Sequence, residues 1–134
     1  MKKITLTLAA MLFTTNALAL SVIVHPSNSS ELDESAISRI FLGKAKSFPD
    51  GGQAVPINLE DGSAGSEVFN EKVLNKSASQ LKAYWSKLVF TGKGTPPKTV
   101  NNDAEMIALI SANPNMIGFI EGAGDGSVKV VATF

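Results

Sequence analysis

The stretch "VPINLEDGSAGSEVF", residues 55–69, runs from an apolar segment through a glycine- and serine-rich turn into an amphipathic pattern. Apolar residues in a short β-branched run, a turn, and apolar residues at helical spacing make a strand–turn–helix unit, the building block of an α/β domain. The turn, Asp61-Gly62-Ser63-Ala64-Gly65-Ser66, admits two readings. In the first, Gly62, Ala64 and Gly65 let backbone N–H groups turn inward, Ser63 and Ser66 offer hydroxyls, and the following helix points its positive end at the turn, a combination suited to an anion. In the second, Asp61, Ser63 or Ser66 caps the helix, worth about 1 kcal/mol, and the glycines make the bend.

Upstream, "LSVIVHP" (20–26) is a β-branched run closed by Pro26, as a buried strand would be. In "SSELDESAISRIFLGK" (29–44), Ser30 stands three residues before Asp33. That spacing predicts a capped helix with Ile37, Ile40 and Phe41 on one face and Gly43 as its stop. "SFPDGGQ" is a turn cluster, and "AVPINL" is a second strand, with Pro56 placed either at its start or with its N–H side at an edge.

Downstream, Val68, Phe69, Val73 and Leu74 carry the helix on from the turn. Ser77 with Gln80 forms a capping box for another helix, whose Leu81, Tyr84, Trp85 and Leu88 recur at helical spacing and are read as core packing. Asn102 with Glu105 opens a further helix through Met106, Leu109 and Ile110, closed by Pro114. "MIGFIE" and "SVKVVATF" are strand-like, and the glycines of the "GAGDG" between them suit the positive φ of a hairpin-like connection. Strands alternating with helices predict an α/β domain with a mixed β-sheet flanked by helices.

With 134 residues, 44% of them hydrophobic, the chain has room for one small domain. Its first residues, "MKKITLTLAAMLFTTNALA", carry two lysines, an apolar stretch and Ala17-Leu18-Ala19, the pattern of a signal peptide cleaved after Ala19. The expected organisation is therefore a signal peptide over 1–19 and a periplasmic domain over 20–134. Cleavage would leave ten basic and twelve acidic residues, with Arg39 the only arginine. Such a chain lacks the basic footprint that nucleic acid or anionic lipid requires. The sequence holds no cysteine, hence no disulfide, thiol nucleophile or lipidated cysteine.

The one histidine, His25, cannot form a metal site alone and is read as capping the end of a strand. No serine stands in a G-x-S-x-G elbow, and nothing marks Glu60 and Asp61 as a paired acid and base, so no catalytic residue, metal or cofactor is expected. "TGKGTPP" (91–97) fails the spacing of a phosphate loop. There Gly92 is read as a helix C-cap and Lys93 as a charge complementing the helix end.

"ISRIFLGKAKSFPDGGQAVPINLEDGSAGSEVFNEKVL" followed by "NPNMIGFIE" resembles the second lobe of the phosphate-type periplasmic substrate-binding proteins of ABC transporters. Those proteins carry a helix ending I-F-x-G, a strand, a turn R-x-D-G-S-G-T entering a helix, and a late I-G-Y segment. With its "YWSKLVFTGKGTPPK" segment the chain is similar to the short exported members of that type 2 periplasmic binding protein superfamily. The resemblance runs from about Leu20 to Glu121 and implies a single-lobe version of that fold. It also implies phosphate or another oxyanion as ligand, held by Asp61, Gly62, Ser63, Gly65 and Ser66. In that register Leu59 stands at the family's arginine, and Ala64 and Gly65 fall on its final glycine and threonine, leaving Ser66 to supply the hydroxyl. Loss of a planar, bidentate arginine removes the motif's strongest phosphate contact.

Two further expectations follow. The chain could keep the scaffold as an interaction module for an inner-membrane transporter or sensor, using the rigid knob around Phe90, Lys93 and Lys98 beside Pro96 and Pro97. A homodimer could rebuild a two-lobed cleft from two chains.

Overall fold

Every residue of β1 (Ser21–Val24) is buried, so this strand needs cover on both faces and partners on both edges. The computed structural model describes residues 19–134; the expected signal peptide lies outside them except for Ala19. β1 pairs antiparallel with β4 (Met116–Ile120) and with β5 (Lys129–Thr133). β4 pairs in parallel with β2 (Val55–Leu59), which pairs in parallel with β3 (Lys98–Val100), giving the sheet order β3-β2-β4-β1-β5. The sheet is mixed, as the sequence predicts. Pro56 falls at the open start of β2, because β3 meets that strand only from Ile57 onward.

The hairpin expected between β4 and β5 is not formed. β1 lies between them, and Gly122, Gly124 and Gly126 are absent from the residues with positive φ. An all-buried first strand takes both neighbours, which displaces the local pairing. The connecting loop turns instead on Asp125, whose carboxylate accepts from the N–H and hydroxyl of Ser127. The Ser127 side-chain and backbone hydrogen bonds hold its carboxyl below the usual carboxylate range.

Helices cover both faces of the sheet. Side chains alternate along β4, so Phe119 and Gly118 point to opposite sides. Phe119 stacks on Phe69 of α2 (Ala64–Phe69), with centroids 4.0 Å apart, and Phe69 meets Phe41 of α1 (Glu34–Phe41) edge-on at 4.7 Å. On the other side, Gly118 makes room for Met106 of α4 (Asp103–Ala112). α2 continues through a π-helical segment, Asn70–Leu74, which ends at Asn75 in a left-handed conformation.

Two helix readings change. α1 is capped by Asp33, which accepts from the Ala36 N–H at 2.7 Å, and Ser30 is buried. A carboxylate one residue ahead of the helix is better placed than a serine four residues back. The aromatic stripe of α3 (Ala78–Phe90) packs only at the margin of the core: Leu81 and Tyr84 lie against it, but no residue of that helix is buried. α3 begins with the foreseen capping box of Ser77 and Gln80. It rests on the end of α1, where the Tyr84 hydroxyl donates to the Leu42 carbonyl at 2.6 Å and Trp85 lies against Gly43. Leu81, Tyr84, Trp85 and Leu88 are therefore half-covered. Among the described residues no helix is long and apolar enough to cross a membrane.

Candidate functional site

Because β2 and β4 are adjacent and parallel, the loops that follow them open at the same end of the sheet, where α/β folds place their ligands. After β2 comes the 61–66 turn; after β4 comes Glu121. The turn closes with the Ser63 N–H donating to the Glu60 carbonyl at 3.2 Å. Gly62 has φ +83°, which a type II turn requires at its third position. Ser63 is the N-cap of α2, its Oγ accepting from the Ser66 N–H at 3.1 Å. The buried Ser66 hydroxyl donates to the Leu59 carbonyl at 2.9 Å.

The Gly65 N–H donates to Glu121 Oε1 at 2.7 Å. A Cβ on Gly65 would lie 2.6 Å from Glu121 Cγ, so glycine is what lets the carboxylate come this close. Asp103, in the first turn of α4, accepts from the N–H groups of Glu121 and Gly122 at 2.9 and 3.1 Å. One carboxylate thus fixes the backbone that aims the other. An anionic oxygen here also faces the positive end of α2.

Both readings of the turn are therefore partly realised. Ser63 caps, and the turn presents a backbone donor to an anion, but that anion belongs to the chain itself. Of the five residues singled out, Gly65 and Ser66 are buried, Ser63 is half-buried, and Asp61 and Gly62 are exposed. Leu59 is only 2% exposed; a long cation at that position would have to displace core packing. Arg39 is exposed on α1, lining a hollow with Asp33 and Val73 rather than the turn. His25 lies just beyond β1, its Nδ1 at 2.7 Å from Ser27 Oγ. Among the described residues no group of three His, Asp or Glu could hold a metal ion.

Glu121 and Asp103 are the residues that sequence reasoning missed. The available signal was positional: an acid directly after a strand parallel to the one that leads into the turn.

Phe90 is 92% exposed and Val89 54% exposed. Together with Leu81, Trp85 and Pro97 they line a groove of about 840 Å³ whose lining also includes Asp61 and Ser66. Lys93, in the loop beyond α3, and Lys98, at the start of β3, are exposed.

No family model matches the chain, and no curated protein matches it. Solved structures do. A protein assigned as a phosphate ABC transporter substrate-binding protein, with bound phosphate, from Clostridium perfringens superposes with a TM-score of 0.66 at 23% identity, over 84% of this chain and 44% of its own. An ABC-type phosphate transport receptor from Vibrio cholerae gives 0.65 at 20% identity, over 84% and 45%. PstS from Borrelia burgdorferi gives 0.57 at 19%, over 76% and 40%. The chain thus has the α/β fold seen in these substrate-binding proteins, and it spans less than half of their length.

Proposed function

We propose that this chain is a periplasmic solute-binding module with the fold of one lobe, whose 61–66 turn holds phosphate or a related oxyanion weakly in the service of ABC-type uptake or sensing. The observation that carries this reading is the carboxylate oxygen at 2.7 Å from the Gly65 N–H: the turn accommodates an anionic oxygen. The fold shared with a protein solved with bound phosphate supports it. Ser63 and the Gly65 N–H donate, Gly62 supplies the bend, Ser66 braces the turn against Leu59, and Asp61 orients donors or accepts from a protonated phosphate.

Affinity is low in this reading, around millimolar or about −4 kcal/mol. With Leu59 at the arginine position no bidentate partner is offered, a single lobe leaves water competing for each donor, and Glu121 must be displaced. Thermal unfolding with increasing phosphate, against matched sulfate and chloride, tests it. A saturating stabilisation by phosphate that Ser63→Ala abolishes is expected. Equal small shifts with all three salts would refute it.

A second reading, an interaction module on the same scaffold that contacts a transporter or sensor, is favoured by α3, whose thirteen residues include none that is buried. Exposed Val89 and Phe90 extend the half-covered stripe into an apolar surface of the kind that contiguous interaction sites use.

A further inference from the structure

We infer that the groove along α3 takes a protein segment with an apolar anchor flanked by carboxylates. This rests on the interaction-module reading and adds the partner's chemistry to it.

Apolar content comes first. Trp85, Val89 and Phe90 of α3, with Pro96 and Pro97 across from them, line one concave surface. Phe90, at 92% exposure, would bury most of its ring only against a partner. Aromatic side chains held by few rotatable bonds contribute large contact area at small entropic cost, which is why they anchor interfaces.

Charge then selects among occupants. Residues 76–100 hold five lysines and no acidic residue, whereas the rest of 20–134 holds five basic and twelve acidic residues. Lys82 lines the groove itself, with Asp61 its one acidic lining residue, and Lys87 on α3, Lys93 in the loop after it and Lys98 at the start of β3 are exposed. An excess of one sign on the segment that walls an apolar groove steers a partner of opposite sign. Shape argues for a protein segment over a lipid surface. The apolar side chains form a cleft whose lining also includes Asn58 and the carboxylate of Asp61, polar groups that acyl chains would leave unsolvated but a peptide can satisfy. A symmetric groove-to-groove pair of copies would bring lysines against lysines.

The test uses the purified protein and a displayed library of random twelve-residue peptides. Enriched sequences should combine an aromatic or aliphatic residue with flanking Asp or Glu. The best of them should shift the fluorescence of Trp85, the chain's one tryptophan, saturably. Phe90→Ser should weaken binding at least tenfold at an unchanged unfolding temperature. In a variant with Lys82, Lys87, Lys93 and Lys98 all changed to Glu, the selection should turn to basic peptides. Enriched peptides without acidic bias, or an unchanged preference after charge reversal, would overturn the assigned chemistry while leaving a Phe90-dependent groove standing. Selection of no peptide whose binding depends on Phe90 would overturn the docking reading too. A shift of Trp85 emission by phosphatidylglycerol vesicles alone would make the surface a membrane contact, and one that follows protein concentration alone would make it a contact between copies; either overturns the proposal.

Discussion

The carboxylate of Glu121 and the backbone N–H of Gly65, 56 positions apart in sequence, meet at 2.7 Å. The turn that would offer its donors to a free oxyanion thus already holds one from within. Removing the tether should expose the donor. Phosphate is expected to stabilise Glu121→Ala against heat more than it stabilises the wild type, and Ser63→Ala in that background should erase the gain. Thermal titrations of the three proteins check this; indifference of both variants to phosphate would mean that the turn only caps α2.

Gly65→Ala should push the Glu121 side chain away and lose a hydrogen bond to a charged group. The cost is expected at about 1–2 kcal/mol, since the pair is only partly buried. Combined with Glu121→Ala, much of that penalty should vanish, giving a coupling of at least about 0.5 kcal/mol. Urea unfolding of the four corners of the cycle measures it. Strict additivity would show that the glycine is needed for some other reason.

Much of this fold is legible in the chain because its signals are local. Caps at Ser77 and Asn102, the apolar runs of β1, β2 and β4, and the stop at Gly43 each depend on neighbours a few residues away. What could not be read depends on distant partners. β3 is three residues after two prolines, too short to show any period, and is a strand only because the edge of β2 pairs with it. The β4–β5 connection looked like a hairpin, but β1 lies more than ninety residues before β4 and takes its place from outside any local window. In the site, the turn chemistry at Gly62 and Ser63 was visible, whereas Glu121 required knowing that β2 and β4 are parallel neighbours. The α3 stripe shows the remaining ambiguity: periodicity states which residues share a face, not what covers that face.

Two phenylalanines should separate core from surface. Phe69 is fully buried and stacked on Phe119, so Phe69→Ala is expected to cost about 3–5 kcal/mol. Phe90→Ala, at a 92% exposed position, should change stability by less than about 0.5 kcal/mol. Chemical denaturation gives both values. Comparable losses would mean that α3 is integrated into the core.

Hydrogen exchange should rank the helices. The amides of α3, which lacks any buried side chain, are expected to exchange through local opening, well before those around Met106 and Ile110 of α4. Equal protection would tie α3 to the global unfolding unit.

The position of β1 also sets an order of events. β1 cannot complete its pairing until β4 and β5 exist, and Leu20 exchanges two backbone hydrogen bonds with Phe134, just past β5. A chain emerging from its N-terminus therefore carries "LSVIV" as an unpaired sticky segment until β4 and β5 appear. Such long-range closure slows folding and lengthens exposure to aggregation. Deleting the last strand should leave a collapsed species prone to clump, rather than a trimmed native domain.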